Sequence, residues 1–320
     1  MVDHAFTPEA VELGHSLRRT FESLGGIELA RRAQVDWAGP TDTIERRLDA
    51  LGVWELKPAA DDIQLQAAAL SCREAGRVAL PYPVAERLTA QLLGEGDAVA
   101  WAAPAGAAGS GALLTNLVDD WFSWSLLTAD GRLHTVSRVD RPAGSRLGPF
   151  VVRCEADGVR PAPAGVPATA LVFGAYTLLG VVERAYELTC EHVRSRVQFG
   201  RALVEFQAVQ HQLADVLVAI QRAEALAVHS LWSLSVDPAS ALVDAVGLRS
   251  TLLDSADVVF RAGHQLHGAS GFCDETPISW LSRHSQPLRR LPTAGPATDA
   301  WLARLAREVG VAGLFAGSSR

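Results

Sequence analysis

The stretch that decides the fold is residues 196–207, Arg-Val-Gln-Phe-Gly-Arg-Ala-Leu-Val-Glu-Phe-Gln. It joins a short polar loop to an amphipathic pattern in which Val209, Leu213, Val216 and Ile220 recur every three or four residues. Long antiparallel helices that pack at a shallow angle carry this spacing along their shared seam. The stretch therefore predicts a helical bundle that the chain enters through a tight loop.

Two further blocks accompany this loop. Residues 265–272 read Gln-Leu-His-Gly-Ala-Ser-Gly-Phe, and the N-terminal part has Glu-Ala-Gly-Arg at 74–77 and Pro-Tyr-Pro at 81–83. Together the blocks resemble the Arg-x-x-Phe-Gly with Phe-Gln, Gln-x-x-Gly-Gly-x-Gly-(Tyr/Phe), and Glu-x-Gly-Arg with Pro-x-Pro signatures of the acyl-CoA dehydrogenase family. Because they span most of the chain, the resemblance implies the fold of that family and FAD as its cofactor.

In that family the loop reaches across a subunit interface to the adenine diphosphate of FAD, and the glutamine-glycine turn holds the same dinucleotide. The side chains suit this role, because a planar guanidinium meets a diphosphate well and amides donate to phosphate or ribose oxygens. The alternative is that Arg196 pairs with a carboxylate and Phe199 belongs to the core. The predicted cofactor-binding residues are Arg196, Gln198, Phe199, Gln207, Gln265, Gly268 and Ala269.

The patterning predicts a mostly α fold with a small β domain. Helical spacing fills residues 1–97, a β-barrel-like domain occupies 98–164, and a four-helix bundle follows over 165–320. Within the middle part, Asp130-Gly131 predicts a hairpin between residues 124–127 and 133–136, since a tight turn needs residues that tolerate positive φ. Residues 161–165 predict a linker.

Composition excludes several classes of protein. The net charge of −7 argues against a nucleic-acid binder, which needs a basic surface to displace counterions. No apolar run looks long enough to cross a bilayer, and the N-terminus lacks the pattern of an export signal, so a cytoplasmic protein is expected. Four scattered cysteines and the histidine spacing fit no metal site, so no metal is predicted.

The residue that removes a proton in the family is missing from both of its usual places. Such chemistry needs a positioned carboxylate, usually a glutamate whose pKa burial has raised. One place holds Leu-Pro-Thr-Ala at residues 291–294, and the other lies near Ala170, while Glu183 and Glu187 follow too late on the same predicted helix. The family's flavin-contacting Thr-Glu-Pro loop is also absent from residues 101–106. We therefore assign this chain no catalytic residue.

These observations predict a short, base-lacking subunit of a hetero-oligomeric acyl-CoA dehydrogenase, with an α2β2 assembly and an isolated chain that is inactive. The catalytic partner would supply the base, the substrate would be an acyl-CoA such as a steroid side-chain thioester, and an electron-transfer flavoprotein would accept the electrons. One rival is a self-sufficient homo-oligomeric flavoenzyme, either a dehydrogenase that uses Glu275 or Asp274 or a monooxygenase-type relative. The other rival is a scaffold subunit that binds no cofactor.

Overall fold

The computed structural model describes residues 6–35, 38–94, 97–102, 112–115, 122–140 and 151–315. Its first part is helical. Side chains cap two of these helices, since Thr7 accepts from the Ala10 amide at 3.4 Å and Asp61 from the Gln64 amide at 2.8 Å. The helices are α1 (Pro8–Ser23), α2 (Ile27–Val35), α3 (Ala38–Ala50), α4 (Asp62–Arg77) and α5 (Val84–Ala90).

A five-stranded sheet follows, in the order β1-β3-β4-β5-β2. β1 and β3 run parallel, and the other neighbours run antiparallel. The predicted hairpin is confirmed between β3 and β4, where the Gly131 amide donates to the Thr128 carbonyl at 2.9 Å and Gly131 has φ 77°. The strands are β1 (Ala98–Trp101), β2 (Ala112–Thr115), β3 (Trp124–Leu127), β4 (Arg132–Asp140) and β5 (Val151–Pro161).

The remainder is the predicted bundle, in which α6, α7, α8 and α11 pack together. Residues 162–165 of the predicted linker lie between β5 and α6, and Pro161 is the last residue of β5. Residues 103–106, part of the loop compared above, lie outside the described residues. The elements are α6 (Val166–Ser195), β6 (Val197–Gln198), β7 (Arg201–Ala202), α7 (Gln207–Val236), α8 (Leu242–His267), α9 (Pro277–His284), α10 (Gln286–Arg290) and α11 (Gly295–Phe315).

The main core is continuous between the first helices and the bundle. α4 and α6 cross so closely that a Cβ on Gly76 would lie 1.9 Å from the Thr177 carbonyl oxygen, and one on Gly180 would lie 1.9 Å from the Arg73 carbonyl oxygen. Aromatic and aliphatic side chains from both parts share this core, including Phe21, Leu48 and Tyr176. The chain thus has the predicted order of helices, sheet and bundle, while the limits drawn between domains stay a prediction.

One expectation about membranes was wrong. α6 is long and apolar enough to cross a bilayer by length and composition, contrary to the sequence-based expectation. However, 78% of its most apolar stretch is buried inside the molecule. A helix that is apolar on every side can be either a membrane span or the central helix of a bundle. The central place of α6 in the bundle therefore explains its high hydropathy.

A mostly buried ion-pair network joins α4 to the bundle. Arg73 donates to Glu183 through Nε at 2.9 Å and through Nη2 at 2.5 Å, and its Nη2 also reaches Glu224 at 2.9 Å. Arg77 adds bonds to Glu183 and Glu187 from the next turn of α4. Burial raises the pKa of the Glu183 carboxyl, and the bond from Arg73 opposes that rise.

We expect Arg73→Met to lower the free energy of unfolding by about 3 kcal/mol, because removing one partner leaves the Glu183 carboxylate buried without its main counter-charge. Arg184→Met is the matched control, since within the described residues Arg184 pairs with half-exposed Glu187 and exposed Glu191, and its loss should change stability by less than about 1 kcal/mol. Urea unfolding of both variants measures the difference. Equal effects would contradict the account of the network.

Candidate functional site

The loop at residues 196–207 folds as a small hairpin between α6 and α7. β6 pairs with β7 through Val197 opposite Ala202 and Gln198 opposite Arg201. Two backbone bonds fix the hairpin to the end of α6, from the Arg196 amide to the His192 carbonyl and from the Leu203 amide to the Arg196 carbonyl, each 2.9 Å. The start of α7 and the end of α6 therefore lie at one end of the bundle.

Phe199 stands at the tip of this hairpin and points outward. Phe199 and Gly200 both have positive φ, 54° and 79°, as the tight turn requires. Phe199 is 90% exposed, although its ring contacts Phe206 edge-on with centroids 6.2 Å apart. The alternative that Phe199 belongs to the core is wrong, because the turn carries it away from the bundle. A left-handed φ at a bulky residue is costly and is found mostly at functional positions.

The glutamine-glycine turn lies at the same end of the bundle as the hairpin. The Gln212 amide of α7 donates to Gln265 Oε1 of α8 at 3.4 Å, and the rings of His192 and His267 stack with centroids 4.2 Å apart. Gly268 has φ 62°, and a Cβ placed on it would have no neighbour within 4 Å. The turn therefore presents open backbone beside the hairpin rather than packing against another element.

The structure thus brings the two predicted motifs together and leaves their side chains accessible. Within the ranges that the structure describes, Arg196 makes no ion pair, so the alternative of a carboxylate partner has no support there. Gln207 lies 3.5 Å from His211, measured between Nε2 atoms, which keeps it on the outer side of the first turn of α7. The seven predicted residues are all exposed, namely Arg196, Gln198, Phe199, Gln207, Gln265, Gly268 and Ala269. Their role toward a cofactor stays a prediction.

A small cavity lies beside Ala170, one of the two positions at which the sequence predicts that the base is missing. A cavity of about 40 Å³ opens between α4, α5, β1 and α6. Ala170 and Gly174 of α6 line it, together with Tyr82 and Leu288. The volume holds little more than one or two waters and is far below the several hundred Å³ of ordinary ligand pockets. At this position, predicted to lack a base, the side chain of Ala170 is a methyl group that lines a small, mostly apolar cavity.

One carboxylate in this cavity is not predicted by any of the sequence motifs. Glu86 of α5 lines the wall, and it stands outside every motif that points to the family's base. His284 also lines the cavity, and complete burial lowers the pKa of its imidazole to about 4, which keeps the ring neutral. Only the position of α5 against α6, which depends on tertiary packing, places Glu86 there.

The segment that replaces the other usual base position is held by a buried arginine. Arg249 of α8 donates to the carbonyls of Leu288 at 3.0 Å, Arg289 at 3.3 Å and Thr293 at 2.6 Å. Burial lowers the pKa of Arg249 to about 10, still well above neutral pH. The charged guanidinium thus ties residues 288–293 down through backbone carbonyls, and no acid of this segment faces the cavity.

The acids suggested for a self-sufficient enzyme lie elsewhere. Asp274 and Glu275 line a separate open cleft of about 650 Å³ between α1, α4, α6 and α9. Asp274 accepts a bond from Arg283 at 2.5 Å. Neither residue lines the cavity beside Ala170, so the structure does not bring these acids to that cavity.

The C-terminal half of the chain matches a known family. Residues 172–319 match the model for "Acyl-CoA dehydrogenase, C-terminal domain". The acyl-CoA dehydrogenase IpdE2 of Mycobacterium tuberculosis is 27% identical over 217 residues, which is 64% of this chain and 66% of that protein. The chain spans less than two thirds of the length of the curated relatives that it matches.

Solved structures show the same fold over almost the whole chain. A variant of the Tcur3481-Tcur3483 steroid ACAD superposes with a TM-score of 0.75 at 21% identity, covering 94% of this chain and 98% of that one. The ChsE4-ChsE5 complex from Mycobacterium tuberculosis gives a TM-score of 0.73 at 17% identity and covers 100% of both chains. At these identities the likeness establishes the fold and confirms the predicted order of helices, sheet and bundle.

Proposed function

We propose that this chain, whose residues 172–319 match the acyl-CoA dehydrogenase C-terminal domain, is a base-lacking subunit of a heteromeric, FAD-dependent acyl-CoA dehydrogenase. In this proposal the chain completes a dinucleotide site with the end of its bundle, and a catalytic partner subunit supplies the carboxylate base. One observation carries the proposal: the predicted cofactor-binding side chains are exposed together at one end of the bundle, while the cavity beside Ala170 measures only about 40 Å³.

The exposed end fits the diphosphate half of a dinucleotide. Arg196 offers a charged planar donor, and Gln198, Gln207 and Gln265 offer neutral donors for phosphate and ribose oxygens. Phe199, 90% exposed, supplies a flat apolar surface on which a ring can stack. Gly268 leaves room for a ligand to approach the backbone, since nothing lies within 4 Å of its would-be Cβ.

When bound, FAD would supply hydride acceptance from the β carbon of the acyl thioester. The residues of this chain would bind and orient the cofactor. In this proposal they remove no proton, because neither usual base position holds an acid: one is Ala170, and the other lies in the segment whose carbonyls Arg249 holds. Glu86, in the same cavity wall as Ala170, would take no part in the reaction. The proton at the α carbon would therefore leave to a carboxylate of the partner subunit.

The relatives supply the proposed substrate class. One similar structure is described as a steroid ACAD and another as a two-component complex, ChsE4-ChsE5. We extend both features to this chain, as a CoA thioester with a bulky steroid side chain and an α2β2 assembly. A cytoplasmic location and an electron-transfer flavoprotein as electron acceptor complete the proposal.

Co-purification tests the proposal. The chain is expressed alone and together with an acyl-CoA dehydrogenase encoded beside it, and FAD content is measured per assembly after gel filtration. We expect a stable heteromer that retains FAD and an isolated chain that loses it. Stoichiometric FAD in the isolated chain would favour the self-sufficient rival.

Glu86 provides a sharper test of that rival. If the partner supplies the base, Glu86→Gln should leave turnover of the complex within about twofold of the parent, since a glutamine has nearly the same size and fills the same cavity wall. A catalytic carboxylate at this position would instead lose several orders of magnitude, because general-base catalysis contributes about 10²–10⁴-fold. Glu275→Gln in the separate cleft is the matched control. Steady-state turnover with an acyl-CoA distinguishes the two cases.

A further inference from the structure

Two histidines at the dinucleotide end of the bundle have no role in the proposed function so far. His192 lies near the end of α6 and His267 ends α8. Their rings stack with centroids 4.2 Å apart and an interplanar angle of 21°. The pair joins the hairpin to the glutamine-glycine turn, since the His192 carbonyl accepts from the Arg196 amide and Gln265 precedes His267 by two residues.

The hydrogen bonds decide which nitrogen titrates. His267 Nδ1 lies 2.8 Å from the Gly263 carbonyl oxygen, and since a carbonyl can only accept, Nδ1 carries the hydrogen. The proton of the charged form must then be added at Nε2. His264, one turn earlier on α8, is held in the same way, with Nδ1 2.9 Å from the Gly271 carbonyl oxygen and Nε2 3.0 Å from Ser282 Oγ.

The surroundings favour the neutral form of both imidazoles in the absence of an anion. Burial lowers the pKa of His192, and the neighbouring Arg196 lowers it further. Burial likewise lowers the pKa of His267, opposed by the bond to Gly263 and assisted by His192 and His264. Among the described residues, the charged or titratable groups that act on the pair are Arg196 from the end of α6 and His264 from α8, with Arg289 of α10 acting on His264. All of these groups are basic.

A diphosphate placed beside Arg196 and Gln265 would reverse this balance. Its negative charge favours the imidazolium form, and the added hydrogen on the ring can donate to a phosphate oxygen. Because the two imidazole rings are stacked, we expect the pair to take up one proton, since two imidazolium rings in contact would repel each other. We propose that the His192–His267 pair takes up a proton when the diphosphate of a dinucleotide binds beside Arg196 and Gln265. This inference rests on the proposed function and adds proton linkage and two binding residues to it.

The sign of the pH dependence follows from the linkage. The pair is neutral in the free site and gains a proton in the bound site, so affinity is greatest at low pH and falls as pH rises through the bound-state pKa. Each unit by which binding raises the pKa corresponds to a tenfold change in affinity. We therefore expect FAD to bind about tenfold more tightly at pH 6 than at pH 8.

Calorimetric titration of FAD into the flavin-depleted complex measures both affinity and proton uptake, when it is run at each pH in two buffers of different ionisation enthalpy. His192→Phe keeps a stacked ring without a titrating nitrogen, and His267→Asn keeps a donor toward the Gly263 carbonyl. In the double variant we expect binding without proton uptake and with little dependence on pH. His15→Asn, at an exposed histidine of α1, should behave as the parent.

The outcomes separate the inference from the proposed function. Proton uptake in the parent that disappears in the double variant supports the inference. FAD binding of equal affinity at pH 6 and pH 8 without proton uptake overturns the inference and leaves the proposed function intact. Failure of the complex to bind FAD at either pH overturns the proposed function and, with it, the inference.

Discussion

Gly76→Val is expected to lower the free energy of unfolding by at least about 4 kcal/mol, or to prevent folding altogether. The first atom of any side chain at this position would lie 1.9 Å from the Thr177 carbonyl oxygen. The Thr177 carbonyl belongs to the backbone of α6, and it cannot move aside as the end of a flexible side chain could. Relief requires α4 and α6 to separate along their whole crossing, which opens voids in the main core and weakens the Arg73 to Glu183 ion pair.

Gly174→Ala is the matched control for this prediction. Gly174 lies on the same helix as Thr177, and a Cβ placed there has no neighbour within 4 Å. Alanine is favoured over glycine inside a helix by about 1 kcal/mol, so stability should stay level or rise slightly. Thermal and urea unfolding of the three proteins measure the contrast. A Gly76→Val protein as stable as the parent would show that the two helices are farther apart than described.

Arg196→Ala in the heteromeric complex is expected to weaken FAD binding by roughly ten- to hundredfold. A hydrogen bond to a charged group contributes about 1.5–3 kcal/mol, and each 1.4 kcal/mol is a factor of ten in affinity. Arg196 is exposed and leads into the hairpin, so its loss should leave the fold unaffected. The complex should therefore assemble normally and lose its flavin on dilution or gel filtration.

Two variants sharpen the interpretation. Arg196→Lys keeps the charge but loses the planar fork, and it should fall between the parent and Arg196→Ala. Arg47→Ala removes an exposed arginine of α3, and flavin content should not change. Unchanged flavin content in the Arg196→Ala complex would favour the rival in which this subunit is a scaffold without a cofactor role.

Local patterns were sufficient to predict the architecture. Spacing from Val209 to Ile220 predicts α7 and the bundle, and Asp130-Gly131 predicts the turn between β3 and β4. Both features depend on neighbours close in sequence, where side-chain periodicity and backbone φ act directly. The nearness of the hairpin and the glutamine-glycine turn also follows once α7 is known to run antiparallel to α6 and α8, because the ends of α6 and α8 then lie beside the start of α7.

Features that depend on distant parts of the chain were not predicted. Glu86 reaches the cavity because α5 packs against α6, and no local pattern marks that approach. The stack of His192 on His267 joins the ends of two helices that are far apart in sequence. Hydropathy shows how apolar α6 is, but only the structure shows that 78% of its most apolar stretch is buried by other parts of the molecule.

The most direct measurement is acyl-CoA-dependent bleaching of flavin absorbance, followed under anaerobic conditions for the isolated chain supplied with FAD and for the heteromeric complex. We expect rapid bleaching in the complex and none with the isolated chain at any FAD concentration. Substrate-dependent bleaching by the isolated chain, abolished by Glu86→Gln, would contradict the proposal that a partner subunit supplies the base.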